Sequence, residues 1–429
     1  MLSTQEADPR KGQVMKILIL SINYWPEVTG IGAFTTYRAE YLAGAGHDVE
    51  VCTTFPYYPE WKVPPAYSGT LYASETRNGV HIRRSYAYIP SPATSVKRIF
   101  HEASFIASVT ASAALCESPD VLLVVSPPLG LALPAILLGR LWRIPYVFDV
   151  EDLQPDSAAD LGMLPKPAVK MLYYLEGVAY RHAKLVTTLT VAMKERIMSK
   201  GVAREKVALL EPRMDQSLCG IQAEEGRGFR ARYGIDGKFL VTYSGNIGVK
   251  QKLDVVIEAA ALHRSDDSIL FLIVGHGAES ARIQRRAVDL GLENVRFLPL
   301  LDETDFRGLL SASDICLVTQ QKTALDIAFP SKVVTYLAAG RPVIASVSPV
   351  SEVAQIARES GAGKVAAAED GAALLAAILE LRKSDLLELG NSGRAYAFTR
   401  WSAERVLGNL ERSLTNVAFP MRAHEETLQ

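Results

Sequence analysis

Cysteine is scarce in this 429-residue chain, and the four present, Cys52, Cys116, Cys219 and Cys316, stand 64, 103 and 97 residues apart. That spacing fits neither a disulfide framework nor a paired metal-ligand motif, and it suits a reducing compartment. Neither sign of charge dominates, since 46 Lys and Arg against 47 Asp and Glu leave a net charge of -1. A nucleic-acid partner is not expected, because duplex binding leaves a basic stripe or a high pI. No Walker sequence occurs: Gly237-Lys238 and Gly363-Lys364 are followed by Phe and Val, which disfavours P-loop nucleotide hydrolysis. The seven histidines lack zinc-like spacing and no nucleophile-elbow sequence is present, which weakens hydrolase readings.

Long apolar runs are missing too, apart from residues 121–139 (VLLVVSPPLGLALPAILLG). The run has about the length a bilayer requires, but Ser126-Pro127-Pro128 at its centre would break a spanning helix. A buried strand, a turn and a buried helix are expected instead. Residues 1–14 are polar, so no cleavable signal peptide is expected, and Met15 is a candidate start.

What remains is ordinary globular composition, with 48% hydrophobic and 22% charged residues over a length that suggests two domains. Apolar runs of strand length alternate with helix-like stretches. The first series is MKILILSI, DVEVCTT, DVLLVVS, PYVFDVE, KLVTTLT and KVALLEP. After a polar, glycine-bearing stretch a second follows: KFLVTYSGN, ILFLIVG, VRFLPLL, ICLVTQ, PVIASV and GKVAAA. Continuous hydrophobicity points to parallel strands covered on both faces. The expected fold is α/β, two Rossmann-like doubly wound sheets: a first domain at 15–212, a linker region at 213–237, a second domain at 238–400, and a helix at 401–416 returning to the first domain, with Trp401 as its anchor.

Such sheets bind ligands beyond the carboxyl ends of their strands. After the first strand, Gly30 and Gly32 precede a helix, forming either a tight turn or a backbone site for an anion. After the strand at 145–150 come Glu151, Asp152, Asp156 and Asp160, which suit a divalent metal, acid–base chemistry, sugar hydroxyls or plain solvation. A metal cage is disfavoured, since no second cluster or nearby His supplies ligands. In the second half Ser244, Gly245, Asn246 and Gly248 form a strand-to-helix turn beside Lys250 and Lys252, a setting for a diphosphate. Gly275 and Gly277 form another turn whose small residues admit a base or ribose, without the third glycine of a dinucleotide fingerprint. At 326–346, Pro330 suits a first helical turn and Ser331 with Lys332 offers a hydroxyl and a cation to phosphate, or caps a helix with an incidental Lys.

In order, INYWPEVTGIG, PYYPEW, DLQPDSAADLG, SGNIGVKQKLD, VGHGAE, NVRFLPLL and FPSKVVTYLAAGRPVIA resemble glycosyltransferase family 4, over residues 15 to 416. The likeness is strongest to bacterial polysaccharide enzymes of the colanic-acid fucosyltransferase and O-antigen N-acetylfucosaminyltransferase kind. The resemblance implies a GT-B architecture whose two domains face across a cleft. It also implies retaining, metal-independent transfer with no cofactor. By position, Asn246, Lys250, Ser331 and Lys332 would face the donor diphosphate, with Gly275 and Gly277 beside the nucleotide and Gly30 and Gly32 closing over the phosphates. The pattern departs from the wider family at three positions: Asn246, where many members have Arg; Thr335 and Asp326 or Ile327, where a Glu pair is usual; and Glu151, where His is common.

The expected function is transfer of a hexose-type sugar from a nucleotide sugar, UDP- or GDP-linked, to a glycan on polyprenyl diphosphate. Lys250 and Lys332 would stabilise the leaving group, while Glu151, Asp152 and Asp326 would orient sugar hydroxyls. The expected place is cytoplasmic, peripheral on the inner face of the plasma membrane. Between Thr76 and His101 five cations (Arg77, Arg83, Arg84, Lys97, Arg98) and no acid precede the apolar FIASVTASAAL. This reads as an anionic-membrane surface or as a solvated basic loop leading into a core helix. A sugar-nucleotide epimerase and a non-catalytic sugar-binding protein are the alternatives.

Overall fold

The computed structural model describes residues 12–27, 30–92, 94–160, 164–322 and 331–420. The chain divides into a first unit, Met1–Glu211 with Leu407–Gln429, and a second, Pro212–Val406.

The first unit carries strands β1 (Lys16–Leu20), β2 (Asp48–Thr54), β3 (Tyr72–Arg77), β4 (Val80–Ser85), β5 (Val121–Ser126), β6 (Tyr146–Val150), β7 (Leu185–Thr188) and β8 (Val207–Leu209). Its helices are α1 (Gly30–Gly44), α2 (Ser95–Ala113), α3 (Ala132–Trp142), α4 (Gln154–Asp160), α5 (Lys166–His182) and α6 (Val191–Ser199). The strands lie in the order β3-β4-β2-β1-β5-β6-β7-β8. All neighbours are parallel except β3 and β4, an antiparallel hairpin turned at Asn78-Gly79. As expected, residues 121–139 form a strand, a turn and a helix, and no described helix is long and apolar enough to cross a membrane.

The second unit holds α7 (Ala223–Tyr233), β9 (Phe239–Ser244), α8 (Asp254–Leu262), β10 (Ile269–Val274), α9 (Ser280–Asp289), β11 (Val295–Leu298) and α10 (Glu303–Ala312). It continues with β12 (Ile315–Thr319), α11 (Ser331–Ala338), β13 (Val343–Val347), α12 (Glu352–Glu359), β14 (Gly363–Ala367), α13 (Gly371–Leu381) and α14 (Leu386–Trp401). Its sheet order, β11-β10-β9-β12-β13-β14, is entirely parallel and reverses between β9 and β12. Side chains that start helices are visible locally: Asp302, Ser351 and Asp370 accept backbone N–H groups three residues on, capping α10, α12 and α13. Both faces of the sheet are covered. Tyr243, Phe271 and Ile344 pack under α8 and α13 on one side, and Val318, Val343 and Ala345 pack under α11 and α12 on the other. Each large side chain so buried stabilises the fold by about 1.5–3 kcal/mol.

Two expectations give way. The stretch 213–237, read as a linker from its polarity, contains α7, which buries Phe229 against α10 in the second unit. Its polar residues line an outer face. Trp401 is fully buried in the second unit's core, with Tyr396 and Ala397. The helix after it, α15 (Ala403–Ala418), belongs to the first unit from Leu407 onward, and Glu411 there accepts from Tyr41 at 3.1 Å.

Candidate active site

Where strand order reverses, the loops leaving two neighbouring strands part and open a crevice. In the second unit this point lies between β9 and β12. The loop leaving β9 is held from beneath by two buried tyrosines. Tyr336 on α11 accepts the Ser244 N–H at 3.0 Å and donates to the Ser244 carbonyl at 3.2 Å. Tyr243 donates to the Asn246 carbonyl at 2.6 Å. Gly245 and Gly275 sit at φ +133° and +136°, which side-chain-bearing residues avoid. A β-carbon on Gly275 would overlap the Gly245 carbonyl, and one on Gly277 would overlap the Ile247 carbonyl. The turn after β10 therefore packs backbone to backbone on residues 245–247, with Ile247 N–H bonded to the His276 carbonyl at 3.0 Å. Loop-on-loop contact accounts for the small residues at 275 and 277.

Lys332 lies in the first turn of α11 and its side chain passes over Gly245. Its ammonium donates to the Tyr243 hydroxyl at 2.7 Å and lies 4.5 Å from that ring's centroid. Among the described residues no carboxylate pairs with it, and desolvation pushes its pKa down to about 8. Lys250, exposed in the short turn Val249–Gln251, reaches the same sheet edge, because its carbonyl accepts the Gln321 N–H just beyond β12 at 2.7 Å. Ser331 is exposed at the start of α11, and Thr335 turns its hydroxyl back onto the Ser331 carbonyl at 3.3 Å. Asp326 and Pro330 lie outside the described residues. The edge thus gathers Ser244, Gly245, Asn246, Gly275, Gly277, Lys250 and Lys332. A cation without an acidic counterpart among the described residues, set beside a glycine turn, is suited to an anion.

The first unit reverses between β1 and β5. Glu27 follows β1, and its buried carboxylate takes the N–H groups of Tyr57 and Tyr58 at 2.9 and 2.8 Å and the Asn23 amide at 2.7 Å. It ties the loop after β1 to the loop after β2. Gly30 opens α1 at φ +58°, and Gly32 lies against Glu27.

Of the four acids after β6, Glu151, Asp152 and Asp156 do not form a shared site, and the Asp160 side chain lies outside the described ones. Glu151 pairs with Arg38, whose guanidinium also holds Asp149 at 2.6 Å, and all three side chains are buried. Burial raises the Glu151 pKa and Asp149 adds to the shift, against the pull of Arg38. Asp152 accepts from the Ser157 hydroxyl at 2.9 Å. Asp156 faces elsewhere, paired with Arg196 and Lys200. No group of three His, Cys, Asp or Glu among the described residues could hold a metal ion. The arginines at 77, 83 and 84 do not form an open basic surface either, since each is paired, with Glu40, Glu50 and Glu75, and Arg84 is fully buried.

Sequence reasoning gave no part to Glu27, Arg38, Tyr243 or Tyr336. Glu27, Tyr243 and Tyr336 stand within quoted segments, but Tyr57, Lys332, Ser244 and, for Arg38, Asp149 and Glu151, the partners that give them their parts, lie far away in the chain.

Two doubly wound parallel units in one chain, the second with a lysine over the glycine turn at its reversal point, are the architecture of the GT-B class. Residues 29–213 match the glycosyl transferase 4-like domain, and residues 238–384 match the glycosyl transferases group 1 family. The chain is 33% identical over 405 residues to WcaI of Escherichia coli K12, named as a colanic acid biosynthesis glycosyl transferase, covering 92% of this chain and 98% of that one. It is also 24% identical over 289 residues to the Pseudomonas aeruginosa protein WbjE, named as a glycosyltransferase, covering 64% and 69%. The crystal structure of Anabaena Alr3699/HepE in complex with UDP has the same fold, with a TM-score of 0.70 at 17% identity over 94% of this chain and 100% of that one. The chain belongs to this glycosyltransferase family of bacterial polysaccharide biosynthesis.

Proposed function

We propose that the enzyme transfers a hexose-type sugar from a nucleoside diphosphate sugar to a glycan carried on polyprenyl diphosphate, as a retaining, metal-independent member of glycosyltransferase family 4. The observation that carries this reading is Lys332, a half-buried ammonium with no carboxylate partner among the described residues, at the reversal point of the second sheet. As the bond to the departing diphosphate stretches, negative charge grows on its oxygens. A fixed cation at that place stabilises the transition state more than the ground state, and preorganised groups of this kind commonly supply several kcal/mol. Lys250 and the exposed Asn246 side chain would complete the cradle, since the N–H groups of Ser244, Gly245, Ile247 and Gly248 are already bonded within the protein. On the same side of a front-face reaction the diphosphate can take the acceptor proton, so no separate base is needed. Glu151 is paired with Arg38 and buried, so its part in this reading is structural, with no proton transfer assigned to it. UDP is the favoured donor base, because a relative of the same fold binds UDP.

The test is calorimetric binding of UDP and GDP to the wild type and to Lys332→Ala, followed by turnover with a panel of donors and a lipid-linked acceptor. Tight binding of one nucleotide, lost in the variant, supports the reading. Equal affinity in both proteins overturns it.

A further inference from the structure

Three helices of the first unit, α2, α3 and α5, meet around the turn Leu129–Leu131. Their outward sides are apolar where an ordinary surface helix is polar. On α3, Leu133, Leu137 and Leu141 recur every fourth residue, and each is more than half exposed. On α5, Met171 and Tyr174 are exposed, Tyr174 to 74%. On α2, Val96, Ile99 and Phe100 are exposed, and Ala103, Ala107 and Ala111 continue the stripe. Exposed apolar stripes on three helices that pack around one turn mark a surface that is covered in use.

The charges around it say by what. Arg98, Arg140, Arg143, Lys166 and Lys170 are exposed on or beside these helices. The helices answer with almost no acid: α3 has none, Glu176 of α5 is buried and paired with Lys200, and Glu102 of α2 is bonded to Gln154. An apolar stripe rimmed by cations on one side of a fold matches an anionic bilayer, with side chains entering the acyl boundary and cations at the headgroups. A second copy of the chain fits poorly, because a two-fold contact would set these like charges against one another.

We propose that the α2–α3–α5 face is the seat of the enzyme on an anionic membrane. It replaces the surface expected from Arg77, Arg83 and Arg84, which are spent on ion pairs, and keeps only the start of α2 from that expectation. The inference rests on the lipid-linked acceptor reading for its purpose, though not for its geometry.

The experiment is co-sedimentation of the full chain with phosphatidylcholine vesicles, alone or mixed with phosphatidylglycerol, at low and high salt. Wild type is expected to bind the mixed vesicles and to be released by salt. Leu137→Asp with Tyr174→Asp, at exposed positions that leave the fold intact, is expected to lose binding. Gln at 140, 143, 166 and 170 is expected to weaken it by about ten-fold or more. Both variants should keep the wild-type melting temperature and turnover on a soluble acceptor analogue. Vesicle binding unchanged in both variants overturns the proposal, as does absence of wild-type binding or a solution dimer that Leu137→Asp dissociates. Loss of turnover with every donor, with vesicle binding retained, would instead overturn the catalytic reading and leave this face standing.

Discussion

The ammonium of Lys332 rests on Tyr243, 2.7 Å from its hydroxyl and 4.5 Å from its ring centroid, with Gly245 directly beneath its stem. Tyr243 serves as a stand that holds the cation over the β9 loop while its own hydroxyl fixes the Asn246 carbonyl. That one hydroxyl accepts from Lys332 and donates to the carbonyl at once.

Lys332→Met should therefore separate binding from stability. A charge-assisted contact to phosphate is worth about 1.5–3 kcal/mol, so affinity for the nucleoside diphosphate should drop by about ten-fold or more. The apo protein should melt higher at neutral pH, because a poorly solvated cation is removed. With the pKa at about 8, below its ordinary value, the unfolded chain holds a proton between those two points that the folded chain lacks. Wild-type stability should accordingly rise with pH across that window, and the variant should flatten the rise. Nucleotide affinity should fall above pH 8 as the ammonium deprotonates. Calorimetric titration and thermal melts across pH test both statements.

Tyr336→Phe removes one hydroxyl and leaves the Ser244 N–H and carbonyl without that partner. A buried polar group left unpaired costs about 1–3 kcal/mol, so the urea midpoint should shift down by that equivalent with an unchanged slope. Donor affinity should weaken as well, since the β9 loop loses its support. An unaltered midpoint would show that the loop does not depend on this bond.

The alternation of strand and helix was legible because parallel strands buried on both faces leave continuous apolar runs, and the place of Lys332 in the first turn of a helix was legible from the Pro330-Ser331 start signal before it. Tyr336 was not legible, since its partner Ser244 is 92 residues away. Arg38 and Glu151, 113 residues apart, are the same case. The hairpin at Asn78-Gly79 carries its own turn signal, but Arg83 and Arg84 read as an open surface because nothing local shows that β3 and β2 bring Glu75 and Glu50 beside them. The polarity of α7 likewise describes its solvent side and hides the buried Phe229.

Arg38→Ala should be far more damaging than Glu151→Gln. Without the guanidinium, two buried carboxylates face each other, and breaking a buried pair in this way costs about 3–5 kcal/mol. Glu151→Gln leaves Arg38 with Asp149, which also accepts from Thr187 at 2.6 Å. Because the Glu151 pKa is raised by folding, the folded state holds an extra proton above the ordinary carboxylate range, so this site contributes more stability at mildly acid than at alkaline pH. Glu151→Gln should remove that slope while keeping measurable turnover. A variant that folds with wild-type stability and has no activity would restore Glu151 to the chemistry.

Activity should survive a chelator. A metal would need free carboxylates, and three of the acids that follow β6 are already engaged, Glu151 by Arg38, Asp156 by Arg196 and Lys200, and Asp152 by Ser157. At the β9 loop the described charged groups are of the opposite kind, the ammoniums of Lys332 and Lys250, which can neutralise phosphate directly. A divalent ion would be repelled by Lys332 and would find no set of three ligands among the described residues. Turnover in EDTA should match turnover in magnesium, and Lys332→Ala should not be rescued by added manganese. If EDTA abolishes transfer and magnesium or manganese restores it, the cationic cradle is not sufficient and a metal carries the leaving-group charge.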